Sequence, residues 1–111
     1  MKVSEIIREL GLEVFSGKEG LDNEITGGYT SDLLSDVMGN ADAGKIWITL
    51  QSHKNTIAVA SLKELSAMIL VKGFKPEEDT ALQSNEEKIP ILGSKEEAFE
   101  ISGKLYKLLN K

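Results

Sequence analysis

The run GNADAGKI, Gly39 to Ile46, has a glycine, four residues, then Gly44 and Lys45, which is most of a phosphate-binding loop. Such a loop wraps backbone amides around a polyphosphate, aims its lysine at the outer phosphates and uses a following Ser or Thr hydroxyl to hold magnesium. It works in the order strand, loop, helix, because the amides that face the anion belong to the helix's first turn. Here the order is reversed. Leu33, Leu34, Val37 and Met38 predict a helix before Gly39, KIWITLQ predicts a strand after it, and Ile46 stands where the hydroxyl is needed. GNADAGKI therefore reads as a polar turn from helix to strand.

The stretch TLQSHKNT has the better placed chemistry. In an open α/β sheet, ligands gather at the carboxyl ends of strands, where the next helix presents free amides and the positive end of its dipole. Thr49, Gln51, Ser52, His53, Asn55 and Thr56 concentrate donors and acceptors at such a place, and His53 is the chain's single histidine. This loop is the candidate site for a polar or anionic small molecule. Gly27 and Gly28, in the run TGG, join it as bare backbone that a ligand could approach. The structural alternatives are that Asn55 only caps its helix, that His53 is a solvated loop residue and that the glycine pair is a turn.

Catalysis and metal binding find less support. A nucleophile, base and orienting acid would have to come from Ser52, His53 and a distant carboxylate such as Asp32 or Asp36, and no spacing predicts that geometry. No cysteine is present, so thiolate ligands, disulfides and cysteine nucleophiles are excluded. The acidic group Glu77, Glu78 and Asp79 follows Pro76, as charge at a helix start does, and is not read as a metal cage. No metal site is expected.

These residues need elements to position them. Val3, Ile6, Ile7 and Leu10 lie on one face of an opening helix that Gly11 can end in a left-handed conformation. Leu12, Val14 and Phe15 suggest a brief strand. EITGGYTSD reads as an extended piece broken at Gly27 and Gly28, and SDLLSDVM as a helix with Asp32 in its first turn. KIWITLQ, AMILV and IPIL are apolar without alternation, as strands covered on both faces are. Asn55 is placed to cap a helix from Thr56 to about Leu65. Ser94 and Glu97 have the spacing of a capping box for a final helix with Ala98, Ile101, Ser102, Leu105, Leu108 and Leu109 at helical spacing. Strand and helix alternate, which predicts a compact α/β domain with a mainly parallel sheet flanked by helices and joined by right-handed crossovers.

Composition sets the class. The 111 residues, 41% hydrophobic and 28% charged, make one globular domain with a single core. A formal net charge of -5 argues against nucleic acid as a partner, because such binding draws on Lys and Arg neutralising phosphates. MKVSEIIREL lacks the continuous apolar core of a signal peptide and no later run spans a bilayer, so a cytoplasmic location without membrane contact is expected.

Two long stretches carry a family likeness: ITGGYTSDLLSDVMGNADAGKIWITLQSHKNTIAVASLKELSAMILVKG and IPILGSKEEAFEISGKLYKLL. The chain resembles the small stand-alone DRTGG-domain proteins of anaerobic bacteria, most specifically from GGYTSDLLSDVM through WITLQSHKN. The same domain occurs in regulatory regions of some phosphotransacetylases and CBS-containing pyrophosphatases, and it is similar to the N-terminal domain of HPr kinase/phosphorylase. The contiguous string Asp-Arg-Thr-Gly-Gly is absent, ITGGY and LVKGFKP being the nearest pieces. The kinase activity of the HPr enzyme belongs to a separate P-loop domain, which is not expected here. The resemblance implies one DRTGG-like domain over residues 1–111, used for regulation, ligand sensing or homo-oligomerisation, a dimer first of all, with no named cofactor. The alternatives are a small enzyme using His53 as acid or base, and a protein-interaction adaptor without a ligand.

Overall fold

A computed structural model describes residues 1–110. The chain opens with helix α1 (Val3–Leu10), whose Val3 and Ile6 are fully buried, and Gly11 ends it in the left-handed region at φ 64°. Strand β1 (Glu13–Ser16) leads through a short 3₁₀ turn (Lys18–Gly20) to strand β2 (Gly27–Thr30). From there helices and strands alternate: α2 (Leu34–Asn40), β3 (Lys45–Thr49), α3 (Asn55–Leu62), β4 (Ala67–Leu70), α4 (Glu78–Glu87), β5 (Ile91–Gly93) and α5 (Ala98–Leu109). The five strands form one sheet in the order β1-β5-β4-β3-β2. β2, β3, β4 and β5 run parallel, and β1 pairs with β5 antiparallel. The expected α/β domain with a mainly parallel sheet is what the chain forms.

The side-chain period of two divides the central strands between two cores. Ile46 and Ile48 of β3 and Ile69 of β4 face α1 and α5, packing with Val3, Ile6, Ile101 and Leu105. Trp47 and Met68, between them in sequence, face the other side and pack with Val37, Ile57, Ala60 and Leu65 from α2, α3 and the connection after α3. Helices therefore cover both faces, which explains why β3 and β4 read as unbroken apolar runs. Among the described residues, no helix is long and apolar enough to cross a membrane.

Four local expectations are corrected. Gly27 and Gly28 do not break the extended piece; they begin β2, in register with Lys45 and Ile46. A side chain at 28 would press on Leu105 Cδ2 at 3.0 Å, so glycine lets α5 lie close on this strand. Asp32 is not in a helical turn, since α2 starts at Leu34 and Asp32 is used to tie the preceding segment to β3. Asn55 does not cap α3: it is the first helical residue, Lys54 precedes it in helical backbone, and the turn is closed by the His53 carbonyl accepting from the Thr56 amide. Ser94 and Glu97 do not form a capping box. The Ser94 hydroxyl accepts from the Glu96 amide at 3.0 Å, because the Ser94 backbone is still held by Leu70 and Gly73 of the neighbouring strand and loop.

GNADAGKI carries the chain from helix to strand, as its context predicts, with the turn itself at residues 41–44. α2 ends at Asn40, Gly44 takes a left-handed φ of 84°, and Lys45 opens β3.

Candidate functional site

β2, β3, β4 and β5 all release the chain at one edge of the sheet, because they run parallel. At that edge the segment Ser31 to Leu33 is strapped across the end of β3. The Trp47 indole Nε1 donates to the Ser31 carbonyl at 2.7 Å. The Thr49 hydroxyl and the Leu50 amide both donate to Asp32 Oδ1, at 2.8 and 2.7 Å, and the Gln51 side-chain amide donates to the Asp32 carbonyl at 2.8 Å. Thr49 is buried, so the carboxylate of the exposed Asp32 satisfies a hydroxyl that water does not reach.

The loop that follows is fixed by its backbone. The Ser52 carbonyl accepts from the Glu77 amide at 3.1 Å, tying the loop to the start of α4. The Thr56 hydroxyl, fully buried, donates to the His53 carbonyl at 2.8 Å. Thr49, Gln51 and Thr56 are thus engaged in holding the loop in shape. Ser52, His53 and Asn55 keep side chains with no hydrogen bond among the described residues, Ser52 and His53 half-buried and Asn55 exposed. No hydrogen bond joins Ser52 or His53 to Asp32 or Asp36. Gly27 and Gly28 lie apart from this loop, level with the opening of β3, four residues before Thr49 and therefore about 13 Å along the strand.

What the sequence reading missed at this edge is positive charge. Lys54 follows β3, Lys72 and Lys75 follow β4, and Lys95 follows β5. None of the four carries an ion pair among the described residues, whereas Lys2, Lys45, Lys88 and Lys104 do. Lys72 sits in the left-handed region at φ 59°, followed by Gly73 at 75°, so the chain turns sharply as it leaves β4. The signal was available, since each lysine comes within a few residues of a strand's carboxyl end; it needed the strands to be placed side by side before it meant anything.

A second polar group lies on the α2 face. The Tyr29 hydroxyl donates to Asp36 Oδ1 at 2.9 Å, and the Asn40 side-chain amide donates to the same oxygen at 3.1 Å. Hydrogen bonding from Ser31 first, then Tyr29, with Asn40 adding to it, holds the Asp36 carboxyl below the usual carboxylate range. Desolvation, reinforced by the bond to Asp36, raises the Tyr29 phenol. Beside β2 on the opposite face, Thr26, Gly27, Gly28, Lys45, Ser102 and Tyr106 line a cleft of about 360 Å³. The lysine of the imperfect phosphate loop thus borders the two glycines, in a setting unlike a P-loop.

No protein-family model matches the chain, and no curated protein matches it. Among solved structures it is similar to the CBS and DRTGG domains of the regulatory region of Clostridium perfringens pyrophosphatase, in complex with the activator diadenosine tetraphosphate. The TM-score is 0.76 at 14% sequence identity, over 95% of this chain and 46% of that one. The chain spans less than half the length of that regulatory region. At this identity the likeness is one of fold.

Proposed function

We propose that this protein is a non-catalytic regulatory module, a single DRTGG-like domain over residues 1–111 that senses an anionic, nucleotide-like metabolite in the cytoplasm and associates with itself. The relation to the N-terminal domain of HPr kinase/phosphorylase belongs to the same reading and rests on the resemblance of sequence. The observation that carries the ligand class is the set of lysines at the carboxyl edge, Lys54, Lys72, Lys75 and Lys95, that carry no ion pair among the described residues, in a chain whose net charge is -5. Around Ser52, His53 and Asn55 they supply cationic and hydrogen-bonding groups where an open α/β sheet accepts ligands. The fold likeness to a regulatory region supports the regulatory half of the proposal.

The experiment is a thermal-shift series against nucleotides, dinucleoside polyphosphates, including the tetraphosphate named for the pyrophosphatase region, and phosphorylated metabolites. A ligand that binds only the native state at one hundred times its Kd adds about 2.7 kcal/mol, which is readily seen. A shift for one class that is lost in His53→Ala and in Lys72→Ala/Lys75→Ala places the site. No shift across the series overturns ligand sensing and leaves the ligand-free adaptor.

A further inference from the structure

The two edges of the sheet are built differently. β1, at one end, is bulged between Val14 and Ser16 and carries the exposed Glu13, both devices that discourage another strand from pairing. β2, at the other end, is regular along its pairing with β3 and reads Gly27-Gly28-Tyr29-Thr30, without charge, proline or bulge. The Ser31 amide donates to the Ile48 carbonyl, so in a parallel ladder the amides and carbonyls of Gly28 and Thr30 point away from β3. Gly28 and Thr30 are exposed, and their backbone groups bond to nothing outside the ladder among the described residues.

Helix α5 borders this open edge. Thr30 Oγ1 and Ser102 Oγ are 2.7 Å apart, and Gly28 underlies Leu105, so the level of Tyr29 on the strand matches Gly103 on the helix. Gly103 would meet nothing within 4 Å if it carried a side chain, yet glycine is among the poorest helix formers. Phe99 and Tyr106, seven residues apart and so on one flank, are 85% and 72% exposed.

We propose that this surface is a two-fold interface with a second copy of the chain, a reading that deepens the self-association proposed above. An axis through Tyr29 pairs the two β2 strands antiparallel: Gly28 of each copy exchanges both hydrogen bonds with Thr30 of the other, and the two Tyr29 residues form the non-hydrogen-bonded pair. The two sheets become one. On the helix side the axis passes near Gly103, where the absent side chain lets the two α5 helices approach, and Phe99 of one copy falls beside Tyr106 of the other. On the opposite face it sets the Lys45 end of one strand toward the Asp36 end of the other, opposite charges across the axis. Two aromatics so exposed contribute about 300 Å² per copy, and a standard interface takes about 800 Å² per partner, about one-seventh of the chain's 5952 Å². The strand edge and the rim of the cleft beside Lys45 supply the remainder.

The chain contains no cysteine, so one introduced thiol reports on one contact. A non-hydrogen-bonded antiparallel pair sets its Cα atoms about 4.5 Å apart, within disulfide reach. Sedimentation of the ligand-free protein at about 100 μM is expected to give twice the chain mass. Oxidised Tyr29→Cys is expected to become a covalent dimer, while Glu13→Cys on the other edge does not. Phe99→Lys/Tyr106→Lys, with far-UV circular dichroism unchanged, is expected to sediment as a monomer. A monomeric wild type overturns the proposal, as does a dimer that survives the double lysine variant or links no faster through position 29 than through position 13. Ligand sensing is read separately, by thermal shift, so either proposal can fail alone.

Discussion

At the scale of single residues, Asp32 and Asp36 show two uses of a carboxylate near a strand end. Asp32 accepts from the buried Thr49 hydroxyl and from the Leu50 amide. Asp32→Ala takes away the acceptor of both donors, leaving the buried hydroxyl only the bond it accepts from the Gln51 amide at 3.1 Å, which costs about 1–3 kcal/mol, measurable by urea unfolding followed through the fluorescence of Trp47, the chain's only tryptophan. Asp36 adds a pH dependence whose sign follows from its lowered pKa. A carboxyl more acidic in the folded than in the unfolded chain stabilises the fold above the unfolded pKa, near 4, and loses that contribution as pH falls through the folded value. Asp36→Asn is therefore expected to melt below wild type at pH 7 and to draw level with it as the pH is lowered toward 2. Equal melting differences at both pH values would mean that the carboxylate's charge is not what Tyr29 and Asn40 stabilise.

At the scale of elements, the fold was legible wherever one residue pattern had one structural meaning. Ile46 to Thr49 and Ala67 to Leu70 are buried on both faces and became two of the sheet's three inner strands. Gly11 ended α1 as its position suggested. What sequence could not settle was local hydrogen bonding with several partners available. Ser94 has the spacing to reach Glu97, yet its backbone is held by β4 and the loop after it, and tertiary bonding overrode the local motif. Gly27 and Gly28 have turn chemistry, but pairing with β3 and the nearness of α5 make them strand. Of the candidate site, the loop from Ser52 to Asn55 was legible because it follows an obvious strand; the lysines after β4 and β5 were not, because only the sheet order sets those loops beside it. A related constraint lies at Gly17, left-handed at φ 73°, where a side chain would collide with the Ile89 carbonyl. Gly17→Ala combines backbone strain with a clash against backbone that cannot swing aside, and it is expected to destabilise by more than the roughly 1 kcal/mol typical of point changes. An unchanged urea midpoint would mean that the β1 connection sits farther from β5 than described.

At the scale of the whole molecule, the question is whether one sheet makes two cores behave as one. Trp47 is buried among α2, α3 and the α3-side connection, while Ile69 is fully buried on the opposite face, against α1 and α5. The faces share no side chains, but every central residue that packs on one is covalently bound to neighbours that pack on the other, and the β3 and β4 backbones are common to both. Losing one layer would expose the far side of a sheet whose polar groups depend on being covered, so neither layer has a folded state of its own. Ile69→Ala removes buried carbon from the α1 and α5 side only and costs about 2–5 kcal/mol. If the layers are one cooperative unit, the fluorescence of Trp47, on the untouched face, shifts to lower denaturant by the same amount as far-UV circular dichroism, and the two curves superimpose. A Trp47 transition left at its wild-type midpoint while the dichroism moves would show that the helices on each face melt separately. Superposition means instead that the two layers unfold as one, through the β3 and β4 backbones they share.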